Sequence, residues 1–352
     1  MIKNNFVLTI NTKNIIKNYN FYRNLKKDII VAPTIKANAY GIGDNKIFNL
    51  LKSEKCKHFF VATLEEGISL KNKNKKICIF VLNGIQNYDL SLFNNNNLIP
   101  IINTKSELNR IIKSNLKFGI HVDTGINRLG LDYTEIPEFV YKNNRLNLVI
   151  SHLSSADEKN NNYNNIQREK FKKIIKNFKN NKILFSISNS NGAILSNKYL
   201  FNMVRPGIAL YGGNNNNKLL YTKIKPVISI KGKIIQIKIL NKDEFVGYNQ
   251  TYKTRKRTRI AIVGIGYADG IPRSLSNKGK VYYKKNIFKI IGRISMDSFT
   301  IDISKSKNKI IEGDYIDLIN KDFGIENFAK DCQTISNEVI TSIGSRAKRI
   351  YV

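Results

Sequence analysis

Lys36 closes the apolar run "DIIVAPTIK" and is followed by "ANAYGIG", in which small residues, one tyrosine and two glycines suit a tight turn. A lysine held at the end of a buried strand is costly when charged. Its pKa therefore falls, and the free amine becomes available as a nucleophile or base. Condensation with an aldehyde is the chemistry such an amine does best. Other polar residues end apolar runs in the same way: His121 and Asp123 in "FGIHVD", His152 in "LVISHL", and Ser188 and Ser190 in "LFSISNS", while Arg205 lies within "MVRPGIAL". Each alone reads as well as a satisfied polar residue at a strand end; only their recurrence suggests a site. An aldehyde cofactor carrying a phosphate would need donors near the last runs, and Ser190 with the backbone amides of Gly207 and Ile208 could supply them. The Gly-containing turn is by itself a weak signal.

The elements that must position these residues can be read from the hydrophobic pattern. From residue 29 to about 210, eight short apolar runs ("IIVAPTIK", "FFVAT", "ICIFVL", "LIPII", "FGIHVD", "LVISHL", "LFSIS" and "MVRPGIAL") alternate with stretches of helical period. In "YNNIQREKFKKIIKNF", Phe171, Ile174, Ile175 and Phe178 make one apolar face. Eight strands, each followed by a helix and apolar on both faces, predict an α/β fold with an N-terminal parallel (β/α)8 barrel of the TIM type, whose chemistry sits at the carboxyl ends of its strands. From about residue 222 the period becomes two, as in "IIQIKIL" (Ile235, Ile237, Ile239) and "FTIDIS" (Phe299, Ile301, Ile303). A C-terminal, mostly antiparallel β domain is expected. The boundaries read as 1–221 for the barrel and 222–352 for the β domain, with "NNNNK" (Asn214 to Lys218) as the linker. Within residues 1–12, the run "FVLTI" (Phe6 to Ile10) is a candidate partner for the β domain.

Composition narrows the class. The chain has 352 residues, 42% of them hydrophobic, enough for two domains with real cores. No apolar run approaches the length of a membrane span, and the N-terminus carries neither a signal-peptide core nor a transit pattern, so a cytoplasmic protein with no membrane partner is the expectation. Cys56, Cys78 and Cys332 stand singly, without metal-ligand spacing, and no metal is expected. The net charge of +33 raises a nucleic-acid-binding alternative. The charge is diffuse, the one dense cluster is "KTRKRTR" (Lys253 to Arg259), and no base-stacking aromatic motif accompanies it, so no nucleic-acid partner is expected.

With "IKANAYG", "HVDTGINRLG", "SHLSSAD", "MVRPGIALYG", "VGIGYADG" and "GRISMD" in that order along both domains, the chain resembles the alanine racemases, fold-type III enzymes that use pyridoxal 5′-phosphate. The resemblance implies that Lys36 carries the cofactor and acts as the base on one face of the substrate, with Tyr267 acting from the other. It implies a homodimer with shared active sites, in which the β domain of one subunit supplies Tyr267, Met296 and Asp297 to its partner. Arg205 would face the pyridine nitrogen and His152 would lead from it toward Tyr267. Arg128 would touch the cofactor's phenolic oxygen and the substrate carboxylate, which the Met296 amide would also contact. Tyr40, Ser190, Gly207, Ile208 and Tyr211 would hold the phosphate, and Asp157 and Arg293 would line the entrance. The implied activity is interconversion of L- and D-alanine, supplying D-alanine for peptidoglycan. Three positions depart from the pattern. Ile42 replaces a frequent histidine, His121 stands where a number of relatives have a lysine that is often carbamylated, and Ser345 stands where some have a phosphate-binding tyrosine.

The physics agrees with what the resemblance implies. The cofactor delocalises the charge left when an α-proton is removed, and inverting a stereocentre needs proton donors on opposite faces. A phenol can serve once neighbouring cations lower its pKa from the reference of about 10. An arginine at the pyridine nitrogen leaves that nitrogen unprotonated, which limits side reactions. The nearest alternatives are a broad-specificity racemase and a basic-amino-acid decarboxylase of the same architecture. Arg205 and Tyr267 both argue against the decarboxylase, which typically has an acidic residue at the pyridine nitrogen and no second base.

Overall fold

A computed structural model describes residues 4–215 and 217–352, and its chain divides into two compact units, residues 15–225 and residues 1–14 with 226–352. Met1 to Lys3, and Asn216 within the segment expected as a linker, lie outside the described residues. The division falls a few residues beyond the 221/222 boundary read from the sequence.

The chain opens with β1 (Phe6–Ile10), which belongs to the second unit. The first unit is built on β2 (Ile30–Val31), β3 (His58–Val61), β4 (Cys78–Val81), β5 (Leu98–Ile102), β6 (Phe118–His121), β7 (Leu146–Ile150), β8 (Leu184–Ser186) and β9 (Met203–Val204). Strands β3 to β8 pair in sequence order, all parallel, and β2 pairs with β9. Backbone hydrogen bonds close the circle. Ile35 N–H donates to the Phe60 carbonyl at 2.9 Å and Phe60 N–H to that of Pro33 at 2.9 Å, while Asn202 and Arg205 N–H reach Phe185 (3.2 Å) and Ser188 (2.9 Å). Ala32, Phe60, Phe80, Ile99, Ile101, Leu148, Ile150 and Met203 converge from six strand segments into one buried cluster. The interior is therefore packed side chains, and chemistry is confined to the strand ends.

The expected barrel is present, with one correction: helices do not follow every strand. After β6 and β8 the connections are 3-10 turns (Tyr133–Glu135, Glu138–Lys142; Gly192–Ile194, Asn197–Tyr199). After β6, Gly125 and Gly130 adopt positive φ and Pro137 interrupts the backbone donors, so no α-helix can propagate there. The long helix before β8, Tyr163–Ile175, buries Phe171 and Ile174 as the periodicity predicts, together with the polar Gln167.

In the second unit β1 pairs antiparallel with β10 (Ile228–Leu240) and parallel with the last strand of the chain. β11 (Phe245–Val246) and β12 (Tyr252–Lys253) form a small hairpin. β13 (Thr258–Val263), β14 (Lys280–Tyr283), β15 (Asn286–Ile291), β16 (Phe299–Asp302), β17 (Tyr315–Ile319) and β18 (Lys348–Tyr351) complete the main sheet, in the order β13-β16-β15-β14-β17-β10-β1-β18. A further β13–β10 pairing closes six of these strands on themselves. The period-two reading holds for β16, where Phe299 and Ile301 are buried, as is Ile303 just beyond it. It misplaces β10. A bulge between Ile234 and Gln236 shifts the alternation, and Ile235 and Ile239 end 45% and 56% exposed.

Candidate active site

Lys36 leaves the barrel at the point where Ile35 is tied to Phe60. The next residues turn the wrong way for L-amino acids: Ala37, Asn38, Ala39 and Tyr40 have φ of 52°, 54°, 50° and 55°. Left-handed helical backbone costs roughly 1–2 kcal/mol per non-glycine residue and seldom extends beyond one. Two alanines and an asparagine, with the smallest side chains for the task, limit the penalty. Ala39 N–H to the Ile35 carbonyl (2.9 Å), Gly41 N–H to Ala37 (2.8 Å) and Gly43 N–H to Asn38 (2.9 Å) hold the turn, and Ala37 N–H donates to the Glu66 carboxylate at 2.7 Å. Lys36 is half-buried. Burial, then the charge of Arg128, push its pKa below the ordinary value, and Glu66 acts in the opposite direction.

Arg205, beyond β9, is buried and spends its guanidinium on backbone at the ends of two strands. It donates to the Ser186 carbonyl (2.9 Å) and hydroxyl (2.5 Å) and to the Ser151 carbonyl (2.6 Å), with its charge 5.8 Å from the centre of the Phe60 ring. Burial lowers its pKa to about 9, which still leaves it protonated at neutral pH. Its Nη2 lies 3.4 Å from His152 Nδ1. A guanidinium can only donate, so this contact requires Nδ1 to accept and places a neutral imidazole's proton on Nε2. Burial, then Arg205, Arg128, His121 and Lys36, hold His152 well below the usual histidine range. The loop under it is fixed by Gln167, which donates to the His152 carbonyl (3.0 Å) and accepts from Ser154 N–H (2.9 Å).

At the neighbouring strand ends the Ser190 hydroxyl accepts Gly207 N–H at 2.9 Å, and Tyr22 donates to the Ser190 carbonyl at 3.0 Å. A Cβ on Gly207 would collide with the Tyr40 hydroxyl, so the absence of a side chain there is what admits it. Ile208 opens the 3-10 turn Ile208–Tyr211. Tyr211 packs its ring 5.0 Å from that of Tyr40 and donates its hydroxyl to the Thr34 carbonyl at 2.9 Å. His121, buried at the end of β6, meets Asn103 Oδ1 through Nδ1 at 3.2 Å, while its Nε2 has no partner among the described residues. Burial, then Arg205, push its pKa down to about 3. Arg128 and Asp157 lie on exposed loops.

The second unit gathers the remaining candidates. Tyr267 N–H donates to the Ser295 carbonyl (3.1 Å) and Ala268 N–H to that of Met296 (3.0 Å), so the "GYADG" turn and the Met296–Asp297 loop form one ridge. Tyr267 is 46% and Met296 51% exposed. Asp269 accepts Gly266 N–H at 2.9 Å, and Arg346 pairs with Asp297 at 2.6 Å and Asp269 at 3.8 Å. Arg293 donates to Asn249 at 2.9 Å, away from this pair, and Ser345 is exposed. Sequence reasoning missed Glu66, Asn103, Gln167 and Arg346. Only Glu66 carried a local signal, as the last residue of a Thr-x-x-Glu helix start. Among the described residues no group of three or more His, Cys, Asp or Glu could hold a metal ion, and no helix is long and apolar enough to cross a membrane.

A closed parallel barrel with a pKa-lowered lysine and a buried arginine at its strand ends, followed by an antiparallel β unit presenting a tyrosine, defines a lysine-centred, two-domain barrel enzyme. Family models give it its place. Residues 10–215 match the alanine racemase N-terminal domain and residues 227–351 the alanine racemase C-terminal domain, and the chain belongs to that family of isomerases. The alanine racemase of Rickettsia bellii is 38% identical over 340 residues, covering 92% of this chain and 82% of that protein. The one from Rickettsia africae is 37% identical over 356 residues, covering 97% and 98%. The crystal structure of alanine racemase from Bartonella henselae with covalently bound pyridoxal phosphate is 34% identical, covers 99% of this chain and 100% of that one, and superposes with a TM-score of 0.92.

Proposed function

We propose that this enzyme interconverts L- and D-alanine with pyridoxal 5′-phosphate, using Lys36 and Tyr267 as the two proton-transferring groups. The observation that carries the reading is the Lys36 amine, half-buried at a strand end of the barrel, with its pKa lowered by burial and by Arg128. The residues present fit the cofactor. The Tyr40 hydroxyl, admitted by the absence of a side chain on Gly207, and the Ser190 hydroxyl stand together as donors suited to a phosphate, and the guanidinium groups of Arg128 and Arg205 suit an anionic group. When bound, the cofactor delocalises the charge left on the α-carbon after its proton leaves.

The chain's own residues do the rest. Tyr40, Ser190, Gly207 and Ile208 hold the phosphate, and Tyr211 supports Tyr40 through ring contact. Arg205 presents its guanidinium to the ring nitrogen and keeps its own proton, because the Ser151 and Ser186 carbonyls favour the charged form. Arg128 and the Met296 amide orient the substrate carboxylate, beside Asp297. Lys36 Nζ takes or returns the α-proton on one face and Tyr267 Oη on the other, with His152 relaying between Arg205 and Tyr267. Asp157 and Arg293 border the entrance. Tyr267 and Met296 come from the partner subunit of a homodimer, in keeping with their exposure within one chain. The enzyme works in the cytoplasm, and its product feeds peptidoglycan synthesis.

Solvent-isotope washout measured separately from each enantiomer tests the two-face assignment. Tyr267→Phe is expected to slow α-proton removal from L-alanine by about 10²–10⁴-fold and from D-alanine far less. Equal losses from the two enantiomers would refute it.

A further inference from the structure

Two segments of the barrel share one pattern. Thr63-Leu64-Glu65-Glu66 follows β3 and Thr104-Lys105-Ser106-Glu107 follows β5. In each, the threonine hydroxyl accepts the N–H of the glutamate, at 3.3 Å for Glu66 and 3.2 Å for Glu107, and starts a short helix. In an ordinary capping box the glutamate would turn back to the threonine's own N–H. Here each carboxylate takes the N–H one residue earlier, that of Ala62 (2.7 Å) or Asn103 (2.9 Å). Its other oxygen crosses to the preceding strand-end loop. Glu66 accepts Ala37 N–H at 2.7 Å, and Glu107 accepts Ile85 and Gln86 N–H at 2.8 and 2.9 Å.

The two staples differ in what they hold. Glu107 fixes a loop with one non-glycine residue of positive φ, Gln86, and a glycine of positive φ, Gly84. Glu66 fixes the first residue of a run of four, with Lys36 immediately before it and Tyr40 at its end. We propose that Glu66 is a positioning residue for Lys36: its carboxylate clamps the left-handed turn to the end of β3, and so fixes where the amine and the Tyr40 hydroxyl stand toward the cofactor. The inference rests on the reading that Lys36 carries pyridoxal phosphate. A charged acceptor is suited to the task, because its bonds to backbone N–H are stronger than those of a neutral one. Without it the turn's first N–H loses its acceptor, and residues 37–40 are free to relax toward right-handed backbone, carrying Lys36 with them.

The test compares wild type, Glu66→Gln, Glu107→Gln and the double variant Glu66→Gln/Ala37→Gly. Each is titrated with pyridoxal phosphate by absorbance, reduced with borohydride and mapped by peptide mass, with thermal midpoints taken on the same samples. Glutamine keeps the shape but offers one oxygen to two N–H groups. Both single variants are expected to melt lower by similar amounts, while only Glu66→Gln binds the cofactor about tenfold or more weakly. Ala37→Gly is expected to restore several-fold of that loss, since glycine accepts φ of 52° without a side-chain penalty. Unchanged cofactor affinity in Glu66→Gln, equal affinity losses in the two single variants, or no recovery in the double variant overturns the proposal. Should Glu66→Gln not fold, Glu66→Asp, which keeps the charge but is one methylene shorter, takes its place with the same expectations. A wild-type chain that takes up no cofactor, or carries it elsewhere than Lys36, fails the reading of the site itself, and the clamp's role falls with it.

Discussion

Lys36 sits where three influences meet: burial and the charge of Arg128 disfavour its ammonium form, and the carboxylate of Glu66 favours it. The first two win, so the folded pKa lies below the ordinary lysine value of 10.5. The sign follows directly. The unfolded chain binds this proton over a range where the native chain does not, so the depression is no burden to stability above the ordinary value and weighs increasingly as pH falls toward the folded one. In reactivity the same shift leaves free amine at lower pH. Competitive acetylation of cofactor-free protein across pH, read at the Lys36 peptide, should give a midpoint below that of a lysine in a short reference peptide. A midpoint at or above the reference contradicts the account of this residue. Arg205 illustrates the complementary case: buried and lowered to about 9, it still holds its proton, so its role is to remain charged.

At the scale of elements, the site depends on backbone placed where ordinary backbone does not go. The left-handed turn after Lys36 is one instance, and the contact between the "GYADG" turn and the Met296 loop is another. A Cβ on Gly266 would run into the Ser295 and Met296 carbonyl oxygens, so Gly266→Ala must separate the two segments that carry Tyr267 and Met296. We expect it to destabilise the β unit by about 1–3 kcal/mol. Racemase activity should fall well beyond that loss of stability; activity matching wild type in a variant of lowered melting temperature would show that the ridge is not needed.

The same elements mark how far the sequence could be read. The eight apolar runs gave the barrel strands because each is bounded and apolar at successive positions, although Leu184 and Phe185 of β8 stay half-buried, and Lys36 and His152 were visible as polar residues ending such runs and Arg205 as one within its run. The 3-10 connections after β6 and β8 were not, since their glycines and proline act against a helix that local periodicity alone allows. Ile235 and Ile239 were misplaced because a single-residue bulge is silent in an alternating pattern. The partner of Ala37 was beyond reach for another reason. Glu66 lies 29 residues away, and although its Thr-x-x-Glu pattern signals a helix start, nothing local tells that the carboxylate will cross to the neighbouring loop.

Across the whole molecule, the +33 charge is spread along both units, and even within the dense cluster Lys253 pairs with Asp243 at 3.0 Å. On the function we propose, the chemistry rests on both units supplying one reaction. The barrel unit carries Lys36 and the β unit carries Tyr267, and our account draws them from different subunits. Co-expressing Lys36→Ala and Tyr267→Phe chains under different tags and isolating the mixed dimer tests this most directly, because one of its two sites then has both residues intact and the other has neither. Each variant alone should be inactive or nearly so, and the mixed dimer should recover about half the activity of wild type per dimer. A mixed dimer no more active than its parents would contradict a shared Lys36–Tyr267 site.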